Sequence, residues 1–171
     1  MKTREGLVTG LVIEVDDPDD LGRVRVQMPG EPGRSDTAWA PVAAPMAGND
    51  RGMFFAPELE DEVVIGFLGG DPEQPVILGY TWNGVDKPPT PHPRERIIRS
   101  KNGHTIRLID SPPGAEGAGT IAIEDANGNR IVLSNGKIVL KALALIELDA
   151  PIVRIKGPGR DRVVNVGGAV I

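Results

Sequence analysis

From Gly6 to about Trp82 apolar and polar positions alternate in short runs, parted by clusters of Gly, Pro and Asp. That is the period-2 signature of half-buried β-strands. It predicts strands near 7–15, 22–28, 37–43, 62–68 and 75–81. In the second of these Val24, Val26 and Met28 alternate with Arg23, Arg25 and Gln27, so one face is buried and the other wet. The run Asp-Asp-Pro-Asp-Asp at 16–20 is a turn-rich connector. Val63–Leu68 and Val76–Leu78 flank Gly69, Gly70, Asp71 and Pro72, where Gly tolerates positive φ and Asp-Pro opens a turn, so these runs form a returning pair.

Five strands at this spacing fit a small barrel, of which the oligonucleotide/oligosaccharide-binding (OB) fold is the commonest five-stranded version. Residues 83–96 then hold four prolines and no apolar period, which reads as a linker. Beyond it short β units recur: IIRS, TIRLID, TIAIED, RIVLS, KIVLK, ALIEL, IVRIK and RVVNV. Asn-Gly pairs at 102, 127 and 135 mark turns, and Asn135-Gly136 is placed for a tight hairpin. In Ile131-Val132-Leu133, Ile138-Val139-Leu140 and Leu145-Ile146 both pleat faces are aliphatic, where a strand with a solvated face should alternate. Something must cover the second face, and another copy of the chain can do so. Residues 142–148 are also compatible with a short helix ending before Pro151; strand is the expectation because the flanking units are strongly β.

Composition sharpens the division. Trp39, Phe54, Phe55, Phe67, Tyr80 and Trp82 are all the aromatic residues, so residues 83–171 can form only a thin aliphatic core. Residues 1–85 carry 6 bases against 15 acids, a net of −9, whereas residues 86–171 carry 13 against 9, a net of +4. An acidic front half argues against phosphate-backbone binding there, and no nucleic-acid partner is expected. The chain has no cysteine, which removes disulfides and thiolate metal sites. Its first residues lack the continuous apolar region of a signal peptide, and no apolar stretch is long enough to span a membrane as a helix.

In order along the chain stand Asp17-Pro18, Leu21-Gly22-Arg23-Val24, Trp39, Pro57-Glu58, Asp61-Glu62-Val63, Gly66-Phe67, Gly70-Asp71-Pro72, Pro75 and Leu78-Gly79. This series resembles the spike proteins of contractile injection machines, phage baseplate assembly protein V and the spike of type VI secretion. The resemblance covers roughly residues 6–82 by motif and the remainder by texture. It implies an all-β protein: an OB-like collar over 1–85, a linker over 86–96, and over 97–171 a β-helical or β-prism needle made by three intertwined chains. Asp61, Glu62, Gly66, Gly70, Asp71, Pro72 and Gly79 would be architectural residues of the collar. Ile131, Leu133, Ile138, Leu140, Leu145 and Leu148 would face the trimer core, in a stem about 40 Å long if its strands stack at the usual spacing. The implied partners are two further copies, a baseplate hub protein and, transiently, the target membrane. The implied setting is an assembled phage tail or tail-like particle. The apolar end, Val166, Gly167, Gly168, Ala169, Val170 and Ile171, is a docking candidate for a tip protein of the proline-alanine-alanine-arginine (PAAR) repeat type.

No catalytic residue, metal site or cofactor is expected. His92 and His104 have no His or Cys close in sequence, unlike the His-x-His tip of some relatives. Ser35, Ser100, Ser111 and Ser134 lack a nucleophile-elbow setting, GGDPEQP lacks the phosphate-loop ending, and the pairs Asp61/Glu62 and Glu124/Asp125 are adjacent strand positions that point apart. Arg94, Arg96, Arg99, Lys101 and Arg107 form the one basic cluster, a solvated collar at the stem base. The competing expectation from another class is a monomeric OB module whose open face binds saccharide or single-stranded nucleic acid.

Overall fold

The computed structural model describes residues 6–29, 36–157 and 160–165. They fall in two compact units, Met1–Pro88 and Pro89–Ile171. The described residues form strands, turns and a single 3₁₀ turn, with no α-helix among them.

In the first unit the strands are β1 (Val8–Glu14), β2 (Arg25–Gln27), the two-residue pair β3 (Ala47–Gly48) and β4 (Arg51–Gly52), β5 (Glu62–Phe67) and β6 (Pro75–Tyr80). The main sheet runs β2-β1-β5-β6. Residues 36–43 close it. Bridges Gln27↔Asp36 and Val24↔Ala40 attach them antiparallel to the β2 side, and Val42↔Ile77 attaches them in parallel to β6. The five expected strand regions are therefore all present, and the closing segment leaves neither end of the sheet open.

Alternation decides what the barrel buries. Along β1, Val12 is 1% exposed while its neighbours Leu11 and Ile13 are 45% and 39% exposed. Val12, Val24, Val26, Met28, Ala40, Val63, Ile65 and Ile77 make the core, with Val8, Val15, Val42 and Phe67 packed on its rim. At Gly10 the β1 and β2 backbones come so close that a Cβ would meet the Gln27 carbonyl oxygen at 2.6 Å. Only glycine fits there.

The second unit is an antiparallel meander of β7 (Glu95–Arg99), β8 (Thr105–Asp110), β9 (Gly119–Glu124), β10 (Arg130–Ser134) and β11 (Lys137–Lys141), paired in chain order. A separate two-stranded ribbon joins β12 (Ile152–Gly157) to β13 (Arg160–Asn165). All three Asn-Gly pairs sit in hairpin turns. Asn135 (φ 47°) and Gly136 (φ 74°) are the two central residues between Ser134 and Lys137, the backbone of a type I′ turn. At 100–104 and 125–129 the Gly103 and Gly128 amides donate to Ser100 O and Asp125 O, and both glycines take positive φ, giving three-residue turns with a glycine bulge.

The expected strand in ALIEL does not form. Residues 142–151 are neither strand nor helix. The reason is topological: Lys141 pairs with Arg130, the first residue of β10, so the chain beyond Lys141 has no neighbour left to pair with. The Leu143 amide donates instead to Asn129 Oδ1 at 3.0 Å.

Candidate functional site

The collar residues singled out by sequence occupy structural positions in the barrel. Gly69 and Gly70 take φ of 60° and 75° in the 3₁₀ turn Leu68–Gly70. Asp71 then folds the return: its Oδ1 accepts the Glu73 amide at 3.0 Å, and its carbonyl accepts the Gln74 amide at 3.0 Å. The Leu68 amide donates to Gln74 O, which closes the connection just before Pro75 opens β6. Gly66 is buried, and a Cβ there would meet Leu78 Cδ1 at 3.1 Å. Gly79 pairs with Val64 beside the irregularity that leaves Leu78 unpaired. Asp61 accepts the Glu58 amide at 2.8 Å, and Glu62 accepts Thr81 Oγ1 and, more weakly, Asn83 Nδ2.

Sequence reasoning found the Asp17-Pro18 turn and missed what it holds. Asp17 is buried and accepts hydrogen bonds from the Asp19, Leu21 and Arg23 amides and from Arg23 Nε and Nη2, the last at 2.6 Å. The Arg23 hydrogen bond holds the Asp17 carboxyl far below its ordinary value against the opposing effect of burial, and the same pairing raises Arg23. The connector is thus clasped to the first residue before the core valine Val24.

In the second unit the register builds one coherent surface. Ile98, Ile106, Ile123, Ile131 and Leu140 lie opposite one another across the five strands, and Leu108, Ile121, Leu133 and Ile138 form the adjacent row. Each residue of a row is two positions from its counterpart in the other, so all nine side chains share a face. They are 40–69% exposed, and at one end Leu143, Leu145 and Ile146 line a hollow together with Ile123, Ile131 and Leu140. Arg96 ends the shorter row at β7 and ion-pairs with Asp110 at 2.5 Å. On the opposite face Ile97, Arg107, Ala122, Val132 and Val139 form the central row, flanked by Glu95, Ile109, Thr120, Ser134 and Lys137 on one side and by Arg99, Thr105, Glu124, Arg130 and Lys141 on the other. One face is aliphatic and the other mixed.

Of the six residues expected to face a partner, Ile131, Leu133, Ile138 and Leu140 belong to this aliphatic surface. Leu145 and Leu148 lie in the irregular segment and are exposed. The tip-docking residues Val166 to Ile171 lie outside the described residues. Within the basic cluster Arg94 donates to Ser111 O at 2.9 Å, Arg96 pairs with Asp110, and Arg107 Nε is a buried donor with no acceptor among the described residues. His104 Nδ1 accepts the Ala126 amide at 3.3 Å, which occupies that lone pair. Among the described residues no group of three or more His, Cys, Asp or Glu is arranged to hold a metal. No described helix is long and apolar enough to cross a membrane.

Residues 8–82 match the family described as the type VI secretion system/phage-baseplate injector OB domain. The chain is 38% identical over 84 residues to the type VI secretion system spike protein VgrG2a of Pseudomonas aeruginosa, which covers 47% of this chain and 10% of that protein. With VgrG4b of the same organism the identity is 31% over 130 residues, 74% of this chain and 15% of the relative, so that match runs past the barrel into the second unit. The actin cross-linking toxin VgrG1 of Vibrio cholerae is 29% identical over 114 residues, 64% of this chain and 10% of the toxin. The chain therefore spans only 10–15% of the length of these relatives. The parallel bridge that closes the barrel, the clasped connector and the glycine turn before β6 all lie within residues 8–82, the stretch that matches, and this barrel belongs to the injector OB-domain family of type VI secretion systems and phage baseplates.

Proposed function

We infer that this chain is a central spike component of a contractile tail or injection machine, in which three copies bury the aliphatic faces of their five-stranded sheets against one another. The observation that carries the reading is the two-row surface of nine exposed Ile and Leu side chains. A single layer with one greasy face is not a stable end state in water, because apolar area removed from solvent contributes about 25 cal/mol per Å². Three copies arranged around an axis would convert that face into an interior and turn the mixed face outward, giving a stiff prism. Sheath contraction would drive this assembly forward, and stiffness would concentrate the force on a small area of target envelope. The baseplate hub would hold the barrels, and Val166 to Ile171 would dock a PAAR-type tip protein. Its place is an assembled tail or secretion-machine particle, and its role is mechanical rather than catalytic.

Light scattering during size-exclusion chromatography tests the reading. The expected mass is three times 18.2 kDa; a stable single copy at 18.2 kDa would overturn it. Deleting residues 167–171 is expected to abolish binding of a PAAR-type tip protein, and unchanged binding would remove that assignment. A saccharide- or single-strand-binding barrel would draw on the exposed rings of Tyr80 on β6 and Trp82 just beyond it. That alternative gives the aliphatic face of the second unit no role.

A further inference from the structure

The barrel unit carries another apolar surface, to which no residue-level role has been given. The connector between residues 43 and 56 leaves a groove of about 600 Å³ against the barrel wall. Leu21, Met46, Met53, Phe54, Phe55 and Tyr80 line it, all of them exposed, and Phe54 is 79% exposed. Backbone geometry holds this groove open. The Met53 amide donates to Met46 O at 2.9 Å across the β3–β4 pair, and Tyr80 Oη donates to Phe55 O at 2.6 Å. Gly22 lets the Phe54 ring lie close, since a Cβ there would stand 3.2 Å from Phe54 Cε2.

A second hollow adjoins it, shares Leu21, Gly22 and Phe54, and is lined by Asp16, Asp17 and Asp20. Asp17 is committed to Arg23, whereas Asp16 and Asp20 are exposed. The groove itself contributes one acid and one base, Asp50 and Arg51, so the joined surface is acidic in balance. This charge selects the occupant. With 6 bases against 15 acids in residues 1–85, a second barrel would meet this margin with like charge. A basic segment would be steered toward it.

We propose that the groove and its acidic margin dock a segment of a different protein in which large apolar side chains alternate with Lys or Arg. The apolar side chains would fill the Met- and Phe-lined groove, whose thioethers adapt to varied shapes, and the cations would face Asp16 and Asp20. This goes beyond the spike reading and does not rest on trimer formation, because the test is read on barrel residues.

The full chain is titrated calorimetrically with the synthetic peptide acetyl-Lys-Phe-Lys-Leu-Lys-Phe-Lys-amide, with a counterpart bearing Glu for Lys, and with one bearing Ser for Phe and Leu. The Lys/Phe peptide is expected to bind and both counterparts to fail. The pair Met53→Ser/Phe54→Ser and the pair Asp16→Asn/Asp20→Asn should each weaken binding about tenfold, and the Asn pair should also flatten the salt dependence. Asn is compatible with the φ of 54° at Asp20, and Phe54→Ser alone serves if the double serine variant melts early. The proposal is overturned if the Lys/Phe peptide does not bind, if the Glu counterpart binds equally well, or if both variants bind as tightly as the parent. It is also overturned if Phe54→Ser abolishes concentration-dependent self-association, since a second copy would then be the occupant.

Discussion

At Asp17 one carboxylate gathers three backbone amides and two nitrogens of a guanidinium, so its ionisation is coupled to folding of the 17–23 connector. Its folded-state value is depressed below the ordinary 3.8, chiefly by the Arg23 hydrogen bond. The unfolded chain therefore binds the proton more readily, and the stabilisation is complete above about pH 5 and drains away as pH falls through the carboxylate range. Asp125 acts in the same direction: burial pushes it up, but the side-chain and backbone hydrogen bonds from Asn129 and Asn127 outweigh that and lower it. Thermal midpoints measured from pH 5 down to pH 2 should fall more steeply for the parent than for Asp17→Asn, which keeps the residual slope of Asp125. Identical slopes would show that the clasp does not couple to folding. The turn at Asp17-Pro18 was legible from composition, whereas the partner was not. Arg23 reads simply as a wet-face residue until Asp20 and Gly22, both at positive φ, fold the connector back on itself.

Elements built from strict alternation were legible because burial in a barrel acts on every second residue. Ile65, fully buried on β5, should lose about 3 kcal/mol of stability on truncation to Ala, while Ile13→Ala on the outward side of β1 should lose under about 1 kcal/mol. Chemical denaturation of the two variants checks the contrast. Turn chemistry was equally readable where a residue type has one conformational meaning. Gly136→Ala forces a Cβ into a left-handed position at φ 74° and should destabilise the second unit by about 1 kcal/mol, seen as a lower midpoint for its transition with the barrel transition unmoved. Two elements escaped. The β3–β4 pair is two residues per strand, too short for a period, and the strand expected in ALIEL failed because strand propensity needs a neighbour to pair with. Leu143, Leu145, Ile146 and Leu148 of that segment are left exposed.

For the whole molecule the informative feature is the asymmetry between the two faces of the five-stranded sheet. Sequence showed that both faces carry aliphatic residues; the register reveals that one collects nine of them while the other mixes Ile97, Ile109, Val132, Val139 and Ala122 with Arg, Lys, Thr, Ser and Glu. If three copies bury the first face, covering it contributes on the order of 10 kcal/mol per copy, and charges placed there must be desolvated or must push the copies apart. Ile121→Glu combined with Leu133→Glu puts opposed carboxylates in the middle of that face. In light scattering it should reduce the mass from three copies to one while leaving the barrel's thermal transition in place. Val132→Glu changes the same strand by the same chemistry on the mixed face and should keep the parent mass. Loss of assembly in both would mean that the sheet itself cannot bear the charge, and retention in both would mean that the copies do not meet through this face. Only the face-specific result is compatible with a prism whose interior is shared among chains, and the parent mass separates that prism from a two-copy sandwich built through the same face.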